Sequence, residues 1–305
     1  MIKAAVIGVG AMGKNHARVY NDLEMVELVA VADCNEVVAH EVGRRYRVPA
    51  YTEHGLMLDK EKPDIVSVAV PTRFHYQIAL DVLERGIHLF LEKPIASTVA
   101  EGAAIIDRAA AQKVKLGIGH IERFNPAIIE LKKRLEAGEM GRVFQIHARR
   151  LGPFPARIRD VGVVIDLATH DLDIMRYLTA SEAVRIYAEI EQKVHTSHED
   201  LLVGMVRFQN GVLGVLSTNW LTPTKVRELN VTGEKGMFSV NYLTQELYFY
   251  KNNYALTISW AGLDVLQGVS EGDMLRLKID KKEPLMMELE DFSRAVIEDR
   301  SPLIS

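Results

Sequence analysis

Short, uninterrupted apolar runs constrain the fold of this chain more than any other feature. Five precede residue 122, namely AAVIGVG from Ala4, VELVAVAD from Val26, DIVSVAV from Asp64, HLFLEKP from His88 and VKLGIGHI from Val114, with a weaker one at 48–52. Stretches of helical length separate them. Because consecutive positions are apolar, both faces of each strand must be covered, which is typical of a parallel sheet between two helical layers. We therefore predict a doubly wound, Rossmann-type α/β domain over residues 1–121.

The remainder of the chain has a different pattern. A helical stretch, PAIIELKKRLEAG, is followed by strand-length segments that partly alternate between apolar and polar residues, such as RVFQIHARR, LLVGMVRF and ELYFYK. Turn signals such as QNG, GEKG and KNN separate these segments. They predict a second, α+β domain over residues 122–305, built on a large, mostly antiparallel sheet that binds substrate and mediates oligomerisation. A chain of 305 residues is long enough for two cores.

Composition argues against several classes of partner. The net charge of −4 leaves no basic surplus for a nucleic-acid backbone. A single cysteine, Cys34, excludes an internal disulfide and metal sites built from paired cysteines, as expected in a reducing cytosol. With no apolar run of about 18 residues and no signal-peptide core, we expect a cytoplasmic protein with a small-molecule substrate and no membrane contact.

A glycine-rich loop follows the first strand and predicts a dinucleotide site. In GVGAMG, Gly8 permits the tight turn, Gly10 lets the backbone approach a pyrophosphate and Gly13 allows close packing of helix on strand. Ala11 and Met12 complete the loop, and the following helix presents its N-terminus to the phosphates. The motif is weak in isolation, but here strand, loop, helix and second strand arrive in the required order.

Asp33 ends the second predicted strand, 20 residues beyond Gly13, where it can accept hydrogen bonds from the adenosine ribose. A carboxylate at this position would repel a 2′-phosphate, so we expect NAD as the cofactor in preference to NADP. An arginine reaching in from Arg44 or Arg45 would weaken that preference.

The fifth predicted strand ends in the FLEKP segment with two charged residues, Glu92 and Lys93. Ligands of open α/β sheets bind at the carboxyl ends of strands, so Lys93 is predicted to face the reacting end of the cofactor, with Glu92 beside the nicotinamide ribose. The alternative for Lys93 is a surface lysine in a turn. Thr72 and His75 follow the fourth strand at the same edge, as cofactor contacts or as packing residues.

A second group of polar residues lies in DLATHDLD, where Asp166, His170 and Asp173 have the i, i+4, i+7 spacing of one helix face. A histidine with a pKa near 6.5 suits a general base at neutral pH, and a carboxylate one turn away can orient the same substrate. The alternative is a structural histidine with capping acids. No metal site is predicted, because the spacing supplies too few ligands for zinc.

Together, GVGAMGKNH, EKP and DLATHDLD resemble the Gfo/Idh/MocA oxidoreductases over essentially the whole chain. The resemblance implies an NAD-dependent oxidoreductase acting on CH–OH groups, with Lys93 and His170 as catalytic residues and Asp166 as a substrate contact. Which of Lys93 and His170 is the formal base stays open.

Further residues are similar to the sugar-nucleotide branch of that family, which oxidises the C3 hydroxyl of UDP-N-acetylglucosamine. They lie in IERFNPAI and RRLGPFPARIRD, and the predicted substrate contacts are Arg123, Asn125, Arg150 and Arg157. Arg149 and Arg159 add positive charge to the same region, where a pyrophosphate would need it. The alternatives are a dehydrogenase of inositol, a free sugar or a sugar phosphate, and a non-catalytic dinucleotide-binding sensor. An exposed sheet face predicts a homodimer or homotetramer.

Overall fold

A computed structural model describes residues 1–155, 161–195, 197–254 and 269–304. The chain divides into two compact units. The first combines residues 1–121 with residues 283–305, and the second comprises residues 122–282. The predicted boundary between 121 and 122 is therefore also a boundary of the units, but the predicted extent of the second domain to 305 is not.

The described residues of the first unit form a parallel sheet of six strands, and this confirms the predicted fold class. The strands are β1 (Ile2–Ile7), β2 (Val26–Ala32), β3 (Ala50–Tyr51), β4 (Ile65–Val68), β5 (His88–Glu92) and β6 (Leu116–Gly119). Their order is β3-β2-β1-β4-β5-β6, so the chain direction across the sheet reverses between β1 and β4. In a sheet of this order the ligand site lies at that reversal, outside the carboxyl ends of the strands.

Five helices connect these strands: α1 (Gly13–Asp22), α2 (Glu36–Tyr46), α3 (His54–Glu61), α4 (His75–Leu83) and α5 (Val99–Gln112). Local sequence sets several of their ends. Asn35 caps α2 by accepting hydrogen bonds from the Val37 and Val38 amides, and Thr98 and Glu101 form a reciprocal capping box at the start of α5. Such caps fix where each connection leaves the sheet.

The second unit is built on an eight-stranded sheet, counted over its described residues, with the order β14-β13-β12-β11-β7-β10-β9-β8. The strands are β7 (Val143–Pro153), β8 (Ala183–Glu191), β9 (Leu201–Phe208), β10 (Leu213–Asn219), β11 (Leu221–Gly233), β12 (Gly236–Asn241), β13 (Glu246–Tyr254) and β14 (Val269–Leu277). All neighbours pair antiparallel except β7 and β10, which are parallel. The prediction of a large, mostly antiparallel sheet is confirmed.

Helices cover one face of this sheet. They are α6 (Pro126–Glu136) and α7 (Thr169–Thr179), and α7 continues a π-helical turn at Val164–Ala168. Alternate residues of β7 project into the resulting core, where Ile146 and Ala148 are buried with Leu131 of α6 and Ile174 of α7. The next inward position on β7 is Arg150, so the apolar face of the strand ends in a charge.

The last helix, α8 (Pro284–Ile297), belongs to the first unit. Leu285, Leu289 and Phe292 of α8 lie in the same core cluster as Phe90 of β5. The Phe90 and Phe292 rings meet edge to face at 5.5 Å. The sequence analysis placed these residues in the second domain, whereas their packing against β5 places α8 in the first unit.

Candidate functional site

The loop between β1 and α1 has the geometry that a dinucleotide needs. Gly8 has a φ of +83°, which favours glycine, and a Cβ added to Gly13 would lie 1.8 Å from the Gly8 carbonyl oxygen. Apart from Gly10 itself and its chain neighbours, no heavy atom of the described residues would lie within 4 Å of a Cβ on Gly10. The loop is therefore closed where helix meets strand and open at Gly10, as required for backbone to approach a pyrophosphate.

The start of α1 leaves backbone donors available to such a ligand. Met12 gives no side-chain cap, and the first turn of this helix holds no acidic residue. The Ala11 carbonyl is already used, since it accepts a hydrogen bond from Asn15 Nδ2 at 3.1 Å. The N-terminal amides therefore favour an anionic group.

Asp33 directly follows β2, as predicted. Its Oδ2 accepts a hydrogen bond from the Val9 amide at 2.9 Å, and its Oδ1 accepts one from the Asn35 amide at 2.9 Å. The carboxylate is thus fixed against the glycine loop, with lone pairs left for ribose hydroxyls. The residues of this unit fit an NAD molecule, and the negative charge disfavours a 2′-phosphate.

Glu92 and Lys93 lie at the carboxyl end of β5. Glu92 Oε1 lies 3.0 Å from Nε2 of His16, a buried residue of α1, and Glu92 Oε2 accepts a hydrogen bond from the Lys93 amide at 3.3 Å. Gly119 of β6 leaves room for this carboxylate, because a Cβ there would lie 2.9 Å from Oε2. Glu92 therefore ties the lysine backbone to α1, and its predicted contact with the ribose stays a prediction.

The position of His75 differs from that expected of a cofactor contact. Its ring is only 1% exposed, with Nδ1 2.9 Å from the Pro94 carbonyl and Nε2 2.9 Å from the Val70 carbonyl. Burial lowers the pKa of His75, although the carbonyls oppose this. His75 therefore links the loop after β4 to the turn that follows Lys93. Thr72, in a short 3-10 turn at Thr72–Phe74, is partly exposed at the same edge.

In the second unit, Asp166 and His170 lie where the π-helical turn becomes α7. The Asp166 amide bonds to the Gly162 carbonyl at 3.0 Å, and the neighbouring Val164 amide bonds to Glu199 Oε1 at 3.1 Å. The wider turn changes the angle between Asp166 and His170 from that of the uninterrupted α-helix predicted from their spacing. Such turns are frequent at functional sites. Both side chains are partly exposed.

Two of the predicted substrate-binding arginines are held by carboxylates of their own unit. Arg150 is 4% exposed, bonds to Asp171 through Nε at 3.0 Å and reaches Glu122 through Nη1 at 2.8 Å. Arg123 holds Asp173 through Nε at 2.8 Å. Burial by itself would lower the pKa of Arg150, but the charges of Asp171 and Glu122 raise it above its usual value. This geometry fits arginines that anchor α7 better than arginines that contact substrate directly.

Asn125 is also used within the fold. Its Oδ1 accepts a hydrogen bond from the Ala127 amide at 3.1 Å and caps α6, and its Nδ2 donates to the Tyr242 carbonyl at 3.1 Å. The Asn-Pro pair at the start of a helix is a capping signal that the sequence already contained. Substrate binding by Asn125 is therefore not supported by its position.

The remaining predicted arginines have other outcomes. Arg149 lies on the opposite face of β7 from Arg150, and it pairs with Glu228 of β11 at 2.9 Å. The predicted contact by Arg157, like the charge of Arg159, falls outside the described residues.

Arg227 of β11 was missed by sequence reasoning. It lies opposite Arg150 in the strand register, and its Nη1 donates to the carbonyls of Leu151 and Val226. Burial and the charge of Arg150 lower the pKa of Arg227, against the opposing influence of Asp171, Glu122 and Asp166. A single arginine within a strand gives no sequence signal, since its neighbours across the sheet are unknown.

Within residues 1–155, 161–195, 197–254 and 269–304, no group of three histidine, cysteine, aspartate or glutamate side chains is arranged to hold a metal ion. Likewise, none of the helices within those ranges is long and apolar enough to cross a bilayer.

Comparisons with known proteins agree with this geometry. A model described as an oxidoreductase family with an NAD-binding Rossmann fold matches residues 2–120, and a Gfo/Idh/MocA C-terminal domain model matches residues 128–239. UDP-N-acetylglucosamine 3-dehydrogenase of Acidithiobacillus ferrooxidans is 29% identical over 98% of this chain and 90% of its own length. A solved structure of that enzyme has a TM-score of 0.86, covering 100% of this chain and 91% of the other. D-glucoside 3-dehydrogenase of Escherichia coli is 30% identical over 72% of this chain and 70% of its own length. The chain therefore belongs to the Gfo/Idh/MocA family and is an NAD-binding oxidoreductase with a Rossmann fold.

Proposed function

We propose that this protein oxidises a secondary hydroxyl of a sugar or polyol with NAD+, and that its preferred substrate is a UDP-N-acetylhexosamine, oxidised at C3. The observation that carries this choice is the extent of similarity. The match to UDP-N-acetylglucosamine 3-dehydrogenase spans 98% of this chain, whereas the match to scyllo-inositol 2-dehydrogenase of Bacillus subtilis spans 61%.

In this proposal His170 and Lys93 act on the same hydroxyl. Neutral His170 accepts the hydroxyl proton as the carbinol carbon loses its hydride. The Lys93 ammonium donates a hydrogen bond to the oxygen and stabilises the negative charge that develops there. Bound NAD+ supplies the hydride acceptor, with its ribose and pyrophosphate held at Asp33 and Gly10.

Asp166 has a separate role in the proposal, because its carboxylate accepts hydrogen bonds from a neighbouring substrate hydroxyl and fixes the ring that carries the reacting carbon. Holding reactants in a productive geometry lowers the barrier by avoiding loss of freedom in the transition state. Exchange of the proton between His170 and Lys93 would leave the same overall chemistry, so kinetics must decide which is the formal base.

A second candidate keeps the reaction and changes the substrate. D-glucoside 3-dehydrogenase has comparable identity to this chain, and the relatives include inositol dehydrogenases. A free glycoside or an inositol would use the same hydride transfer without needing a cationic side chain to bind a phosphate. The number of charges on the accepted substrate therefore separates the two candidates.

The test is a comparison of substrates by NADH absorbance. UDP-N-acetylglucosamine should give a higher kcat/KM than methyl glucoside, myo-inositol or glucose 6-phosphate. Absence of turnover with any nucleotide sugar would reject the preferred substrate. His170→Ala should lower kcat by about 10²–10⁴-fold, and Lys93→Met by about 10²–10³-fold. The NADH affinity of His170→Ala serves as the folding control, and unchanged kcat in this variant would reject its catalytic role.

We also propose that the protein forms a homodimer or homotetramer through the second sheet. On the face away from α6 and α7, the sheet exposes Tyr187, Val203, Met205, Tyr250 and Met274. Exposed apolar surface of this kind is typical of an interface. Light scattering should detect an oligomer, and Met205→Glu should shift it towards monomer without changing the far-UV circular dichroism.

A further inference from the structure

Arg227 combines three features that are costly together unless a ligand completes the site. It is partly buried, it lies beside a second arginine, and it pairs with no carboxylate oxygen within 4.0 Å among the described residues. Removing a charge from water without an ionic partner is unfavourable. The neighbouring Arg150, by contrast, has two ionic partners, the carboxylates of Glu122 and Asp171.

The strand register fixes the side of the sheet on which Arg227 lies. Arg227 is paired directly with Arg150 across β11 and β7. Residues directly opposite in an antiparallel pair project from the same face. Because Arg150 contacts Asp171 of α7, Arg227 also lies on the helix-covered face, where Asp166 lies in the π-helical turn that precedes α7.

The hydrogen bonds of Arg227 leave one edge of its guanidinium available. Nη1 donates to the Leu151 carbonyl at 2.5 Å and to the Val226 carbonyl at 2.7 Å. Those contacts use both Nη1 hydrogens, and within the described ranges no bond of Nε or Nη2 is found. The Nε–Nη2 edge is a planar fork that matches two oxygens of a phosphate or carboxylate.

Gly152 keeps the space beside this group open. If Gly152 carried a Cβ, its nearest neighbours would be Nη1 and Nη2 of Arg227 at 3.9 and 4.0 Å. The guanidinium therefore borders the volume that a side chain at 152 would fill.

We infer that Arg227 binds a phosphate group of the substrate through its Nε–Nη2 edge, on the helix-covered face of the second sheet. This inference rests on the proposed function for the identity of the substrate, and it assigns to Arg227 the anion recognition predicted for Arg150 and Arg123. The electrostatic influence of Asp166 on Arg227 supports the placement, since the proposed contact for the sugar ring and the contact for its phosphate then lie in one region.

The experiment measures binding of three anions to the full-length protein loaded with NADH: UDP-N-acetylglucosamine, UDP and inorganic pyrophosphate. Calorimetry is done on wild type, Arg227→Gln, Arg227→Lys and Arg276→Met. Arg276 is the matched control, because it is an exposed arginine of the same sheet that already pairs with Glu246 at 2.6 Å.

Arg227→Gln should weaken binding of UDP-N-acetylglucosamine and UDP about 10- to 100-fold, the range expected for loss of a charge-assisted, bidentate contact. Arg227→Lys should recover part of the loss, because the charge remains and the fork is removed. Arg276→Met should bind as wild type does. The KM for uncharged methyl glucoside should change by less than about twofold in Arg227→Gln, since a neutral sugar makes no phosphate contact.

Three results would overturn the inference. One is binding of all three anions within about twofold of wild type in both Arg227 variants. Another is an equal loss for methyl glucoside, which would indicate that Arg227 only supports the Leu151 and Val226 carbonyls. The third is a wild-type protein that binds none of the anions.

If pyrophosphate binds in an Arg227-dependent manner but no nucleotide sugar is oxidised, the proposed substrate is wrong and the inference stands. Should Arg227→Gln not fold, Arg227→Lys gives the same comparison.

Discussion

Gly10 and Gly13 belong to the same GVGAMG motif, but replacing each with alanine should have a different effect: Gly13→Ala should lower stability and Gly10→Ala should weaken NADH binding. The Cβ that Gly13→Ala introduces would lie 1.8 Å from the Gly8 carbonyl oxygen, whereas carbon–oxygen contacts settle near about 3.3 Å. The start of α1 must then move by about 1.5 Å. Beyond its chain neighbours, a Cβ at position 10 meets no described atom within 4 Å, and Gly10 does not have a positive φ.

The structure gives the size of each effect. Overpacking costs about 1–3 kcal/mol, and the added Cβ at position 13 meets a backbone atom, which cannot rotate away, so Gly13→Ala should cost about 3 kcal/mol. Gly10→Ala should change the free energy of unfolding by less than about 0.5 kcal/mol, as an exposed substitution does. Its methyl group would instead hold the pyrophosphate away from the backbone amides, and NADH affinity should fall about 10- to 100-fold.

Two measurements separate these outcomes. Urea unfolding followed by circular dichroism reports the free energy of unfolding, and NADH fluorescence reports cofactor affinity. Gly10→Ala should lower NADH affinity and leave the free energy of unfolding unchanged, while Gly13→Ala should lower the free energy of unfolding. Wild-type NADH affinity in Gly10→Ala would refute the assignment of the open loop to the pyrophosphate. Wild-type stability in Gly13→Ala would refute the argument from close packing.

Three further outcomes follow from charged groups. Asp33→Ser should lower the ratio of kcat/KM for NAD+ over NADP+ by about tenfold or more, because the carboxylate that repels a 2′-phosphate is removed. Arg150→Met leaves Asp171 and Glu122 without the buried cation that they share. The free energy of unfolding in urea should therefore fall by about 3–5 kcal/mol. A loss under about 1 kcal/mol would contradict a structural role for Arg150. Asp200 is buried, which alone would raise its pKa, but hydrogen bonds from the amides of residues 193–195 lower it below the usual value. The resulting stabilisation is complete above about pH 4 and is lost as the pH falls through the lower, folded-state pKa. Asp200→Asn should therefore unfold more easily than wild type at pH 7, and the difference in unfolding free energy should shrink below about pH 4; a pH-independent difference would contradict this linkage.

Local pattern was sufficient to place the residues of the predicted cofactor site. Gly8, Gly10, Gly13 and Asp33 are adjacent in sequence to the strand ends that they serve, and the first unit places them as the motif predicts. The position of Lys93 after β5 follows in the same way. Each of these assignments depends on backbone conformation within a few residues, and composition and spacing carry that information.

The ionic partners of the arginines could not be predicted from the sequence. A strand arginine projects to one face or the other, and its partners arrive from distant segments: Arg150 meets Asp171, 21 positions away, and Arg123 meets Asp173, 50 positions away. Grouping arginines by sequence proximity therefore put Arg149 and Arg150 together, although they lie on opposite faces of β7.

The two-part architecture, the parallel sheet, the glycine-rich loop and the family resemblance could all be predicted from the sequence, because hydrophobic period and short motifs are local properties of the chain. Only long-range packing shows which unit contains α8, which arginines are neutralised, and that Nε and Nη2 of Arg227 make no hydrogen bond among the described residues. Those outcomes depend on register and long-range charge pairing, in which the free energy of a buried cation is set by whichever carboxylate the fold brings within reach.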